Sequence, residues 1–158
     1  MSAVSGPALE GRALSGHLAD GEHRYPLRIF YEDTAAGGIV YHARYLHFAE
    51  RARTELLRLC GIEQTLLRAE HDVVFAVRRC QVEFRRPARL DDLVEVRSRL
   101  TDLRGAKLSA VQGIWRAGEE LVRLMVEVAT VRGDGRPTRI PAPLRATLEP
   151  FVQPLEQG

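Results

Sequence analysis

The densest grouping of chemistry-bearing residues lies between Tyr31 and His42: Tyr31, Glu32, Asp33 and Thr34, then Ala35, Ala36, Gly37 and Gly38, then Ile39, Val40, Tyr41 and His42. Adjacent glycines let a backbone come close to a ligand, because no Cβ intervenes. A helical pattern begins directly afterwards. Unpaired N–H groups and the positive end of a helix dipole therefore fall at His42 and its neighbour Tyr41. Donors fixed in this way suit negative charge developing on a carbonyl oxygen, the oxyanion of acyl transfer. A turn of this shape also serves elsewhere simply to reverse the chain.

The elements that must hold this turn follow from periodicity. Before it, Tyr25, Leu27, Ile29 and Tyr31 alternate with Arg24, Arg28 and Glu32, the pattern of a half-buried strand. After it, from about residue 43 to Cys60, the spacing changes to three and four: Tyr45, Ala49, Ala52, Leu56 and Leu59 form one apolar stripe, and Gly61 supplies a helix stop. Thr65 to Glu70 suits a short second helical turn. Val74 and Ala76, followed by Cys80, Val82 and Phe84 on the opposite parity, predict a long strand with a bulge or break near Arg78 and Arg79. Pro87 closes that strand. Alternation over Val94–Leu100, over roughly 107–116 and over Leu121 to Val131, with short glycine turns between, predicts an antiparallel meander. Pro143 to Leu148 fits a short terminal helix. One helix after the first strand and a run of antiparallel strands make an α+β arrangement, a sheet wrapped around a helix.

Composition narrows the function classes. The chain of 158 residues, 45% hydrophobic and 28% charged, fits one soluble domain with a substantial core. It is expected to span 23–150, with residues 1–22 a mobile extension and 151–158 a tail. A net charge of +2 argues against nucleic acid as the main partner, since phosphate binding wants a concentrated basic face. Of the 23 basic residues only Lys107 is lysine, which a general bias towards arginine explains. Cys60 and Cys80 have no metal-ligand spacing and read as small buried hydrophobes, consistent with a reducing cytoplasm. No window is long and apolar enough for a transmembrane helix. P-loop, GxGxxG, HExxH and GxSxG patterns are all missing, which leaves no nucleotide-binding, zinc-protease or serine-hydrolase signature.

Several motifs in order carry a resemblance. Glu32-Asp33-Thr34, Ala36-Gly37-Gly38-Ile39-Val40-Tyr41-His42, Tyr45-Leu46 and Phe48-Ala49-Glu50-Arg51-Ala52-Arg53-Thr54-Glu55 come first. Val82-Glu83-Phe84, Pro87-Ala88-Arg89-Leu90-Asp91-Asp92 and Arg104-Gly105 follow. Over roughly residues 25 to 148 this resembles the hotdog-fold acyl-CoA thioesterases of the 4-hydroxybenzoyl-CoA type, most closely those associated with the Tol–Pal system. The resemblance implies a cytoplasmic thioester hydrolase acting on acyl-CoA, with coenzyme A as part of the substrate, no separate cofactor and no metal. It implies side chains of Tyr31 and His42 in the site, the first donating to water or carbonyl, the second orienting water or moving a proton.

It also exposes a departure. The family's catalytic carboxylate falls at Ala35, and a methyl group neither attacks a thioester nor takes a proton from water. A natural loss and a deliberate replacement would read the same. Impaired turnover with binding retained is the expectation, and a non-catalytic module binding acyl-CoA or acyl carrier protein is the rival. Asp33, which the family keeps alongside its catalytic acid, suits a structural role such as an Asx turn. Glu50, on the helix from which other hotdog thioesterases take their carboxylate, is a weak substitute expected to pair with a nearby arginine. Arg78, Arg79, Arg85, Arg86, Arg89, Arg104 and Lys107 are candidates for the phosphates of coenzyme A. A single curved sheet leaves edges open, so a homodimer or tetramer is expected, and the resemblance implies two active sites at that dimer interface, with groups from both subunits.

Overall fold

A computed structural model describes residues 14–155. In chain order it contains β1 (His17–Ala19), β2 (Glu22–Arg28), α1 (Arg44–Leu59), α2 (Gln64–His71), β3 (Val74–Phe84), β4 (Leu93–Arg104), β5 (Lys107–Arg116), β6 (Glu119–Val131) and α3 (Ala142–Leu148). The strands form one antiparallel sheet in the order β1-β2-β4-β5-β6-β3, the α+β hotdog architecture in which α1 packs on the sheet.

Alternation along the strands decides which face meets the helix. Val122, Leu124 and Val126 of β6, Ile114 of β5, and Val94 and Val96 of β4 point inward and are buried. From α1, Tyr45, Phe48, Ala49 and Ala52 meet them, spaced so that one stripe faces the sheet. Ala49 and Ala52 have no exposed surface at all, and their small side chains let the helix lie close to the strands. Each large apolar side chain buried here contributes about 1.5–3 kcal/mol. A second cluster, including Leu67, Leu100, Leu103, Leu108, Leu144 and Leu148, packs α2 and α3 against the other end.

The break expected in β3 is present: its register with β6 shifts between Val77 and Arg79. A further shift in β4, between Leu100 and Asp102, had no signature in the sequence.

Four expectations are corrected. Tyr31 is not a strand residue: β2 ends at Arg28, and Tyr31–Asp33 forms a 3-10 turn. The cause is local, because Asp33 Oδ2 accepts the Phe30 N–H at 2.8 Å and Thr34 Oγ1 donates to the Tyr31 carbonyl at 2.7 Å. Such side-chain bonds compete with a strand ladder. Residues 17–22, expected in the extension, form β1 and its turn into β2, while residues 1–13 lie outside the described residues. The tail is docked at its start, since Val152 bridges Leu100 and the Gln153 N–H donates to the Leu100 carbonyl at 2.8 Å. Residues 156–158 lie outside the description. Finally, Cys80 is exposed rather than buried, because β3 is the last strand of the sheet, and Cys60 is half-buried.

Candidate active site

The glycine turn is closed by its own backbone. Ala35 N–H donates to the Ile39 carbonyl at 2.8 Å, and Gly38 N–H to the Ala35 carbonyl at 3.2 Å. Gly37 and Gly38 have φ of +88° and +76°, a left-handed conformation that side chains with a Cβ rarely adopt. Nothing lies within 4 Å of where either Cβ would stand, so conformation rather than crowding requires glycine, and the turn faces open space.

Beyond the turn the two expected oxyanion donors separate. Val40 N–H donates to the Ala88 carbonyl and Tyr41 N–H to the Asp33 carbonyl, both at 2.9 Å. Tyr41 is thereby withdrawn as an oxyanion donor: a bond across the turn has taken its amide. Among the described residues the His42 N–H has no hydrogen-bond partner. The helix behind it starts at Arg44 without a side-chain cap and without an acidic residue in its first turn. The Arg44 N–H donates to the Tyr41 carbonyl at 2.8 Å and the Leu46 N–H to the Ala43 carbonyl at 3.2 Å, but no acidic side chain offsets the dipole, so the free His42 amide favours an incoming partial negative charge.

The His42 ring lies 4.5 Å from the Tyr41 ring and meets Phe84 edge-on at 6.3 Å. Val40, His42, Tyr45, Phe84, Arg85, Arg86 and Pro87 line a groove of about 270 Å³ at this point. None of these is a carboxylate. Tyr45 and Phe84 were not recognised as site residues from sequence, where they are simply members of an apolar stripe and a strand face. Tyr45 is also a brace: its hydroxyl accepts the buried Ala88 N–H at 2.9 Å, and burial pushes its phenol above the ordinary range.

The remaining candidates scatter around this groove. Ala35 is exposed on the turn, and Tyr31 stands 82% exposed at its outer shoulder. Asp33 is buried and occupied, capping Phe30 and facing Arg44 Nε at 3.6 Å, so its carboxylate serves the turn as expected. Glu50 is exposed and lines a different cavity, between α1 and the sheet. It makes no ion pair among the described residues, contrary to expectation.

The basic candidates divide by place. Arg85 and Arg86 flank the groove, paired with Glu83 and Glu120 and with Glu119 respectively. Arg89 is exposed on the loop that follows, its backbone N–H held by Asp92 at 2.8 Å. Arg78 lies exposed at the β3 bulge. Arg79 and Arg104 border a cleft on the opposite face of the sheet, where Lys107 pairs with Glu127 at 2.9 Å.

A polar relay invisible in the sequence fixes α1 over the sheet. Gln112, fully buried, donates to the Ala49 carbonyl at 3.0 Å and to Ser98 Oγ at 2.9 Å, and its Oε1 accepts from Arg53 at 2.8 Å. Burial lowers the Arg53 pKa, with Glu50 pulling the other way.

With this geometry in place, three comparisons bear on it. The model of the thioesterase superfamily matches residues 37–123. An acyl-CoA thioester hydrolase, YbgC, of Escherichia coli is 50% identical over 99 residues, 63% of this chain and 73% of the relative. The acyl-CoA thioesterase YbgC of Haemophilus influenzae is 39% identical over 130 residues, 82% of this chain and 96% of the relative. A crystal structure of a probable thioesterase from Bartonella henselae superposes with a TM-score of 0.74 at 38% identity, covering 76% of this chain and 99% of that one.

Proposed function

The chain belongs to the thioesterase superfamily, and on that premise we infer that it handles acyl-CoA thioesters, hydrolysing them to the free acid and coenzyme A. The observation that carries this reading in the fold is the unpartnered His42 amide at an uncapped helix start, beside a groove without a carboxylate. Water adds to the thioester carbonyl and gives up a proton to solvent, the His42 N–H holds the oxyanion, and collapse of the tetrahedral intermediate breaks the C–S bond, releasing the free acid and coenzyme A thiolate, which takes its proton from solvent. His42 stands at the groove, where its imidazole orients water, while Tyr31 stays exposed on the outer shoulder of the turn and does not line the groove. Arg85, Arg86 and Arg89 are the basic groups placed to meet phosphates of the carrier.

What the site lacks is a base. Ala35 stands where the family carries its catalytic acid, so turnover is slow while the carrier and acyl group still bind. Removing a general base costs about 10²–10⁴ in rate. The test is hydrolysis of acyl-CoA by this chain and by Ala35→Asp, with about 10²–10⁴-fold faster turnover expected in the variant. Equal rates well above background would remove position 35 from the mechanism. Binding with no hydrolysis in either protein would favour the one rival that Ala35 supports, a non-catalytic module for acyl-CoA or acyl carrier protein.

The open edge of β3 supports a homodimer. Among the described residues it pairs only with β6, and it presents Val77, Cys80 and Phe84 exposed along an 11-residue strand. Long unpaired edges are ordinarily covered, and a second copy covers this one through a two-fold axis. A cytoplasmic location and a link to the Tol–Pal machinery complete this reading, both resting on family resemblance.

A further inference from the structure

Ala88 has no exposed surface, and its backbone groups are spent on two different elements. Its carbonyl accepts the Val40 N–H at 2.9 Å, and its own N–H donates to the Tyr45 hydroxyl at 2.9 Å. Val40 stands just before His42 in the chain, and Tyr45 lies in the first turn of α1. One buried residue thus ties the end of the glycine turn to the start of the helix, on either side of the His42 amide. Further contacts extend the seam: the Leu90 N–H donates to the Gly38 carbonyl at 3.0 Å, and Ile39 bridges Arg89. Val40, His42, Tyr45 and Pro87 all line the groove, so whatever moves this seam moves the site.

The loop carrying Ala88 is pinned at its far end by charge. Asp92 Oδ2 accepts the Arg89 N–H at 2.8 Å and Arg116 Nη1 at 2.7 Å, and Arg116 Nη1 also donates to the Pro87 carbonyl at 3.3 Å. Burial pushes the Asp92 pKa up, but the bonds from Arg116 and the Arg89 N–H outweigh it and hold the carboxyl below its ordinary range. At Ala88 the pin is a phenol. The Tyr45 side chain is buried, with its ring against Phe48 and Phe84. Phenylalanine would fill that place equally well, so packing alone does not ask for the hydroxyl. What asks for it is a buried N–H that would otherwise be orphaned.

We propose that Tyr45 is a positioning residue for the thioester reaction, its hydroxyl acting through Ala88, together with the Asp92–Arg116 pair, to keep the His42 amide aimed into the groove. The inference rests on the thioester reading above and adds to it a hydroxyl that works at one remove from the reacting atoms. Without that hydroxyl the Ala88 N–H seeks water, Val40 loosens, and the oxyanion donor drifts. A misplacement of about 1 Å costs on the order of 10² in rate. Ground-state binding of the substrate scarcely depends on a donor that matters in the transition state.

The test joins two readouts on the full chain. In amide hydrogen exchange, Tyr45→Phe should speed exchange at Val40 by about tenfold or more. In acyl-CoA hydrolysis, with Ala35→Asp as the reference, adding Tyr45→Phe should lower kcat by about 10–10²-fold while KM stays within about twofold. Leu144→Ala, in the second core cluster, destabilises the fold at least as much and should change neither readout. Arg116→Leu, at a side chain 32% exposed, loosens the loop from its other end and carries the same test if Tyr45→Phe does not fold. An unchanged kcat, unchanged exchange at Val40, or an equal loss in Leu144→Ala overturns the inference and leaves the thioester reading standing. If Ala35→Asp does not hydrolyse acyl-CoA, the hydrolase reading falls and this inference with it.

Discussion

Asp33 and Ala35 sit two residues apart on one turn and have opposite fates. Asp33 is buried and spends its oxygens on the Phe30 N–H and on Arg44, while Ala35 faces solvent with nothing to offer a proton. Asp33→Ala removes a cap, and a loss of about 0.5–2 kcal/mol in chemical denaturation is expected. Tyr45→Phe is a sharper probe, because it keeps the ring and strands one buried donor, the Ala88 N–H. It should cost about 1–3 kcal/mol, read as a lower midpoint with an unchanged denaturant slope. At this scale the sequence was only partly legible. The structural role of Asp33 followed from its neighbours, whereas the loss of the Tyr41 amide to Asp33 depends on how the turn folds back, which no spacing records.

At the scale of elements, periodicity told most where one face is buried. The three-and-four spacing of α1 and the parity switch in β3 both came through, since each is enforced by the same core. β1 did not, because three residues are too few to show a period, and Tyr31 was misplaced because side-chain capping overrode alternation. The N-terminal segment carries its own pH dependence. His23, fully buried in β2, bonds through Nε2 to the Ser15 carbonyl, while its Nδ1 has no partner among the described residues. Burial holds its pKa below the ordinary value, although the Ser15 carbonyl and Glu55 pull it upward and His17 lowers it further. The unfolded chain therefore binds a proton near pH 6.5 that the folded chain refuses. Stability from this group is complete above about 6.5 and declines as pH falls towards the lowered folded value. Thermal melts between neutral and mildly acid pH should show that decline, and His23→Gln should flatten it. An unchanged slope in the variant would assign the dependence elsewhere.

At the scale of the whole molecule, the described residues leave the β3 edge open, and the donor cradle at His42 and the apolar cavity beside α1 lie apart. Val77→Asp combined with Cys80→Arg places charge along β3, and sedimentation equilibrium should then report a single chain where the parent gives twice that mass. A monomeric parent, or a dimeric variant, would move the interface off this edge. The family was legible before any coordinates because its motifs recur in order. The cavity was not, since its walls come from seven elements distant in sequence. Central to all of this is the His42 amide as the seat of a thioester carbonyl. Its backbone resonance in a ¹H–¹⁵N spectrum, followed while acyl-CoA is titrated in, tests that most directly. A saturable downfield shift of the His42 amide proton is the expected result, and an amide that stays fixed while acyl-CoA demonstrably binds would contradict it.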